Sequence, residues 1–252
     1  QKKRRRDGKA NRSAVGAERQ TGTVRESVNL TGMVLKATPV GENDRRLVIL
    51  TRERGKITAF ARGAKRPGSQ LLGVTRPFVF GTFKLYEGRD AYNLQAADVL
   101  NYFSEITMDM EATCYGSYFL EFADYYSREN LEATEQLLLL YQSLRALLKP
   151  ALPNSLVQAV FELRSMAING DYTEHPPRPV SDSANYAWEY IVASPLESLY
   201  TFTLAPEVLE ELKHCVELNK RRFIDREFHS LEILKMMETA VRGTQQSAGQ
   251  GK

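Results

Sequence analysis

Two periodicities and a charge boundary predict an α+β chain, with a small five-stranded barrel first and an all-α domain after it. Before residue 101, apolar and polar residues alternate in five short runs, the period of half-buried strands. From about Ile106 the apolar residues recur every three or four positions instead, the period of amphipathic helices. Charge divides at the same place: residues 28 to 100 hold twelve Lys or Arg against six acids, and residues 101 to 252 hold thirteen against twenty-two. A polyanion is attracted to the first part and repelled by much of the second, so any nucleic-acid site belongs before residue 100.

Residues 1 to 27 begin Gln-Lys-Lys-Arg-Arg-Arg, contain no aromatic residue and show no periodicity that would bury a face, which predicts a disordered basic extension. Residues 28 to 101 form the predicted barrel domain. Its strands are expected at 28–38, 45–52, 55–63, 77–87 and 91–98, all antiparallel, with turn chemistry at Pro39 to Asn43, Arg54-Gly55 and Gly88 to Asp90. Five strands in some 70 residues suit an OB-fold, whose open face binds single strands, and equally an SH3-like barrel.

The third strand carries the most informative chemistry. Ile57, Ala59 and Ala61 share one face, while Lys56, Thr58, Phe60 and Arg62 share the other. Cations around a single ring are what a backbone-tracking, base-stacking surface needs. The strand runs into Gly63-Ala64-Lys65-Arg66-Pro67-Gly68-Ser69, a loop with two adjacent cations and no acidic neighbour.

The helical domain is expected over residues 102–240, with a tail at 241–252 rich in Gln, Gly and Ser and predicted disordered. Met108, Ala112, Tyr115, Phe119, Phe122 and Tyr126 mark one apolar stripe, read as core. A helix from Ala133 to Leu148 is apolar nearly all round and is expected at the centre of the bundle. Pro150 and Pro153 stop it, and further helices are expected at Ser155–Asn169, Ser183–Val192, Glu207–Arg222 and Phe228–Thr239. Cys114 and Cys215 lie far apart in helical patterns, the signature of two reduced, buried thiols. No run reaches the roughly 18 to 20 apolar residues of a membrane span, and the basic start lacks a signal peptide's apolar region, so a cytoplasmic protein is expected.

Ala61-Arg62-Gly63-Ala64-Lys65-Arg66, then Ser69, Leu72 and Arg76-Pro77-Phe78, resemble the signature loop of the RecO family of bacterial recombination mediators. Gly32 to Lys36, Glu42 to Arg46 with Leu47 to Thr51, and Leu85-Tyr86-Glu87-Gly88-Arg89 are similar to the family's flanking segments. The resemblance spans roughly Val28 to Glu238, strongly to about Asn101, and rests on order and spacing. It implies the OB-fold over the SH3-like barrel. It also implies annealing of complementary strands, loading of recombinase onto DNA coated by single-stranded-DNA-binding protein, and contacts with RecR and with that protein's acidic C-terminal tail. Many family members carry four zinc-binding cysteines in two close pairs where residues 171 to 182 fall. This chain has none there, so no zinc is expected, and packing around Tyr186, Trp188 and Tyr190 is expected to hold the loop.

No glycine-rich phosphate loop occurs, and His175, His214 and His229 accompany no nucleophile motif, so neither an enzyme nor a cofactor is expected. The leading expectation is a protein that binds single- and double-stranded DNA without sequence specificity. Its contacts are Arg62, Lys65 and Arg66 first, then Arg45, Arg46, Lys56 and Arg76, with Phe60 as the stacking ring. Arg145, Lys149, Lys220, Arg221 and Arg222 are cations of the acidic domain suited to an acidic partner tail. An RNA-binding OB protein and a pure interaction adaptor are the alternatives.

Overall fold

The structure, a computed structural model, describes residues 27–236. The expectations for the stretch before residue 27 and for the tail 241–252 lie outside the described residues. Strands β1 (Ser27–Val40), β2 (Asp44–Thr51), β3 (Gly55–Ala61), β4 (Phe80–Glu87) and β5 (Tyr92–Asn101) close into an OB-fold barrel in the order β1-β2-β3-β5-β4. One junction differs from the all-antiparallel expectation, since β3 and β5 pair in parallel through Ala59↔Tyr92 and Phe60↔Asn93. Parity requires it. β1 is antiparallel to β2 and to β4, so β3 and β5, each one antiparallel step further on, run the same way where they meet.

The strand interior follows from alternation. Leu47, Ile49, Ile57, Ala59, Phe83 and Leu85 fill the barrel, and β3 alternates buried and half-buried residues along its whole length. The run Leu47-Val48-Ile49-Leu50 breaks that pattern because β2 is covered on both faces: Leu50, with Met33, Leu35 and Phe78, belongs to the helical core.

The helical layer comprises α2 (Ser104–Met108), α3 (Met110–Tyr126), α4 (Thr134–Ala146), α5 (Asn154–Ile168), α6 (Asp182–Ala193) and α7 (Pro206–Phe223). A further helical stretch runs from 229 to the last described residue, and a four-residue turn, α1 (Leu71–Val74), sits between β3 and β4. Pro206 opens α7, where its missing N–H is no loss. The stripe expected from Ile106 onward is broken at Asp109, whose carboxylate caps α3 by accepting from the Ala112 N–H at 2.9 Å. Met108, assigned to that stripe, is therefore 85% exposed, while Tyr115, Phe119, Phe122 and Tyr126 are buried. The centre of the bundle is α5, which packs against α3, α4, α6 and α7; α4 leaves Leu138 half-buried. Cys215 is buried and Cys114 only half-buried, a correction to two buried thiols, and the two are not joined.

Residues 171 to 181 are held by hydrogen bonds to the helices. The Trp188 indole N–H donates to Thr173 O at 3.1 Å, Asn219 Nδ2 donates to Asp171 O at 3.0 Å, and the Tyr126 hydroxyl donates to the Asp171 carboxylate at 3.0 Å. Of the three aromatics expected to hold this loop, only Trp188 does. Tyr186 is 69% exposed, and the Tyr190 hydroxyl reaches Ser198 O instead. The donors here do not fit a structural zinc: the stretch contains no thiol, and no group of three or more His, Cys, Asp or Glu is gathered among the described residues.

Barrel and helices are tied by backbone. Lys56 N–H donates to Arg128 O, Asn130 N–H to Arg54 O and Ala133 N–H to Arg52 O, at 2.9 to 3.0 Å. Residues 128 to 133 thus lie along the β2–β3 turn. Gly55, at φ +63°, makes this approach possible, since a Cβ there would fall 2.3 Å from both Arg128 O and Leu131 O.

Candidate nucleic-acid interface

Outward-facing residues of the barrel meet two different environments. On β3, Lys56 pairs in register with Leu50, at the end covered by helices, while Phe60 pairs with Arg46 at the uncovered end. The Lys56 ammonium accordingly sits 3.0 Å from the Asp124 carboxylate and donates to Asp124 O at 2.8 Å. It fastens the barrel to α3, which corrects its assignment to the DNA surface. Period two identifies a face but not which end of that face another element covers.

Phe60 lies on the outer face, half-buried, and neither core cluster includes it. Register surrounds it with Arg46 on one side and Asn93 on the other. Arg62 follows at the strand's end, exposed. The chain then turns through Gly63 at φ +67° into a packed loop: Ala64 is fully buried, Gly63 N–H donates to the Asp44 carboxylate at 2.7 Å, and Lys65 N–H donates to Asn43 O at 2.9 Å. These bonds fix the loop beside the β1–β2 turn. They also occupy the Asp44 carboxylate with a backbone N–H and leave the side chains of Lys65 and Arg66 exposed.

Arg45 has a different task. Its Nη1 donates to Thr75 O at 2.8 Å and to Thr75 Oγ1 at 3.0 Å, so it braces the segment that presents exposed Arg76 one residue later. It supports the surface from within, a correction to its assignment as a contact. Arg46, Arg62, Lys65, Arg66 and Arg76 are exposed, and none forms an ion pair among the described residues. Sequence reasoning missed Lys36, exposed on β1 in register with Val48 and through it Thr58, on the same outer face. The shift in pairing between Val34 and Lys36 hides it from strict alternation.

The helical cations separate. Lys220 is buried between Glu162, 3.0 Å away, and Glu217, 2.8 Å away. Burial alone would lower its pKa, yet the Glu162 and Glu217 carboxylates hold it above the ordinary lysine value. It closes α7 onto α5 and cannot receive a partner tail. Arg221 pairs with Glu217 at 2.9 Å, and Lys149 Nζ approaches Tyr200 O at 3.4 Å. Arg145 and Arg222 are exposed without an ion pair among the described residues.

The family model for recombination protein O, N terminal, matches residues 25–103, which span the barrel, and that for its C terminal matches residues 107–174. Among curated proteins, the DNA repair protein RecO of Acetivibrio thermocellus is 25% identical over 241 residues, covering 82% of this chain and 96% of the relative. That of Clostridium perfringens is 26% identical over 242 residues, covering 82% and 97%. That of Desulforudis audaxviator is 36% identical over 138 residues, 55% of each chain. A closed five-stranded barrel, the helical layer behind it and these matches over both together establish that the chain belongs to the RecO family.

Proposed function

We propose that this protein is a non-enzymatic mediator of DNA repair and recombination. It binds single- and double-stranded DNA without sequence specificity on the outer face of its barrel, anneals complementary strands, and helps load recombinase onto DNA coated by single-stranded-DNA-binding protein. The observation that carries the reading is a set of exposed cations without an ion pair among the described residues: Arg46 in register with the half-exposed ring of Phe60, Arg62 two residues after it, Lys65 and Arg66 in the loop that follows, and Arg76 beside the braced Thr75. Such cations take up phosphates by releasing counterions, and the ring offers a stacking surface to any base. Lys36 joins them, and Arg45 and Lys56 hold the platform.

RecR and the acidic tail of the coating protein are the partners that family membership favours, with Arg145, Lys149, Arg221 and Arg222 as the helical cations available to an acidic tail. The working domains are the barrel, 28–101, and the helical layer, 102–240, in a cytoplasmic protein. Among the described residues no helix is long and apolar enough to cross a membrane.

The test is a triple substitution, Arg62→Ala, Lys65→Ala and Arg66→Ala, measured for strand annealing and for single-strand affinity across a salt series. Loss of up to three phosphate contacts flattens the slope of log affinity against log salt by up to about 2, at roughly 0.7 per phosphate. A folded triple variant with unchanged slope and annealing would remove this surface from the function.

A further inference from the structure

The barrel contains six aromatic residues, and four have partners that account for them. Phe78 and Phe83 are buried in the two cores, Phe80 packs on Tyr141 with ring centroids 4.7 Å apart, and the Tyr92 hydroxyl bonds Arg54 at 2.5 Å. Phe60 and Tyr86 are left half-exposed, without a ring contact or side-chain hydrogen bond among the described residues. Register links them: Asn93 on β5 is paired with Phe60 on one side and Tyr86 on the other. The two rings therefore lie in one row across the outside of the barrel, two strand spacings or roughly 10 Å apart along the sheet.

Each ring also has a cation two residues away in sequence: Lys84 shares Tyr86's side of β4, and Arg62 continues the spacing of β3 one residue past its last strand residue, Ala61. Phe60 has Arg62 and Tyr86 has Lys84, and Lys84 is exposed without an ion pair among the described residues. β4 is antiparallel to β5 and β3 parallel to it, so the step forward from Phe60 to Arg62 and the step back from Tyr86 to Lys84 point the same way. Rings form one row and cations a second row beside it, roughly 7 Å away. A single strand laid across β3, β5 and β4 has its bases on one side and its phosphates on the other, which this arrangement matches.

We propose that the single-strand track extends past β3, across β5 and onto β4, with Tyr86 as a second stacking ring and Lys84 as its phosphate contact. This rests on the DNA-binding reading above and adds the strand's direction and the residues at its far end. Barrel curvature spreads the two rings, so the second is reached only by an oligonucleotide several residues long.

The experiment compares a thymidine dinucleotide, too short to seat a base on each of two rings roughly 10 Å apart, with an oligothymidylate of about 20 nucleotides, longer than the footprint of one such barrel. Phe60→Ala weakens binding of both. Tyr86→Ala weakens the long one roughly 5- to 150-fold, the effect of one lost stack, and leaves the short one near wild type, while Tyr86→Phe keeps the ring and the affinity. Lys84→Ala flattens the salt slope for the long oligonucleotide by about 0.7. If Tyr86→Ala binds the long oligonucleotide like wild type while Phe60→Ala and the triple cation variant are weakened, the β4 extension is wrong and the main surface stands. If the triple variant is also unaffected, both readings fall. Photo-crosslinking of wild-type protein to a long oligonucleotide carrying 5-iodouracil gives a readout independent of variant folding. An adduct on Tyr86 supports the track, and adducts confined to β3 and the 63–69 loop overturn it.

Discussion

Replacing Phe60 with Ala removes a ring that belongs to neither core, so the melting temperature should stay near wild type while single-strand affinity falls by about 1 to 3 kcal/mol. A buried ring would instead open a cavity costing about 3 to 5 kcal/mol of stability, so paired melting and binding measurements separate the two cases. Lys56→Ala should behave in the opposite sense, loosening the tie to Asp124 while single-strand affinity per folded molecule holds. For Lys220, truncation to Met strands the Glu162 carboxylate in the core. The expected loss is about 3 to 5 kcal/mol, much of it recovered when Glu162→Gln is added, read by denaturant melts. Because the Lys220 pKa is raised, its contribution is complete through neutral pH. It is lost only as pH rises from about 10.4 through the folded-state value, so the gap between wild type and the Met variant should close at the alkaline end. The outward placement of Phe60 was legible in the sequence because exposure on a strand follows period two, and Arg62 is exposed one residue past the end of that strand. Lys56, Arg45 and Lys220 were not, because their partners Asp124, Thr75 and Glu162 come from elsewhere in the chain and no local pattern announces such a contact.

At the scale of elements, the β2–β3 turn is the most exacting. Gly55→Ala places a Cβ against two carbonyl oxygens at a positive φ, so a loss of at least about 1 to 3 kcal/mol is expected, with faster amide exchange at Lys56, Asn130 and Ala133. Unchanged exchange there would mean that residues 128–133 do not depend on this turn. The β1–β2 turn has a similar part beside the loop: Asp44→Ala frees the Gly63 N–H and should weaken DNA binding although it removes a negative charge. A gain in affinity would show that Asp44 acts only through its charge. The strands themselves were readable within a few residues, since each is bounded by turn chemistry. The parallel β3–β5 junction was not, being a consequence of closure and not of any segment. The break at Asp109 was overlooked for a different reason: the apolar spacing continues across it, and the capping aspartate is the visible signal.

Across the whole molecule, the barrel keeps a core of its own and also contributes Met33, Leu35, Leu50 and Phe78 to the core of the helical layer, so the two share that second core. If DNA binds as proposed, the charge division favours the barrel side, so affinity should fall steeply with salt, and neutralising Arg145 and Arg222 together should leave that slope unchanged. A flattened slope would mean that the helical layer also contacts phosphate. Trp188 is the chain's one tryptophan, fully buried and hydrogen-bonded to Thr173 O. Its emission should therefore be blue-shifted and should not respond to an oligonucleotide added under the proposed barrel mode, which would make it a poor titration signal and a clean optical witness to the helical layer alone. Coincident loss of that emission and of the strand circular-dichroism signal on heating is what a shared core demands; two separate transitions would divide the molecule in two.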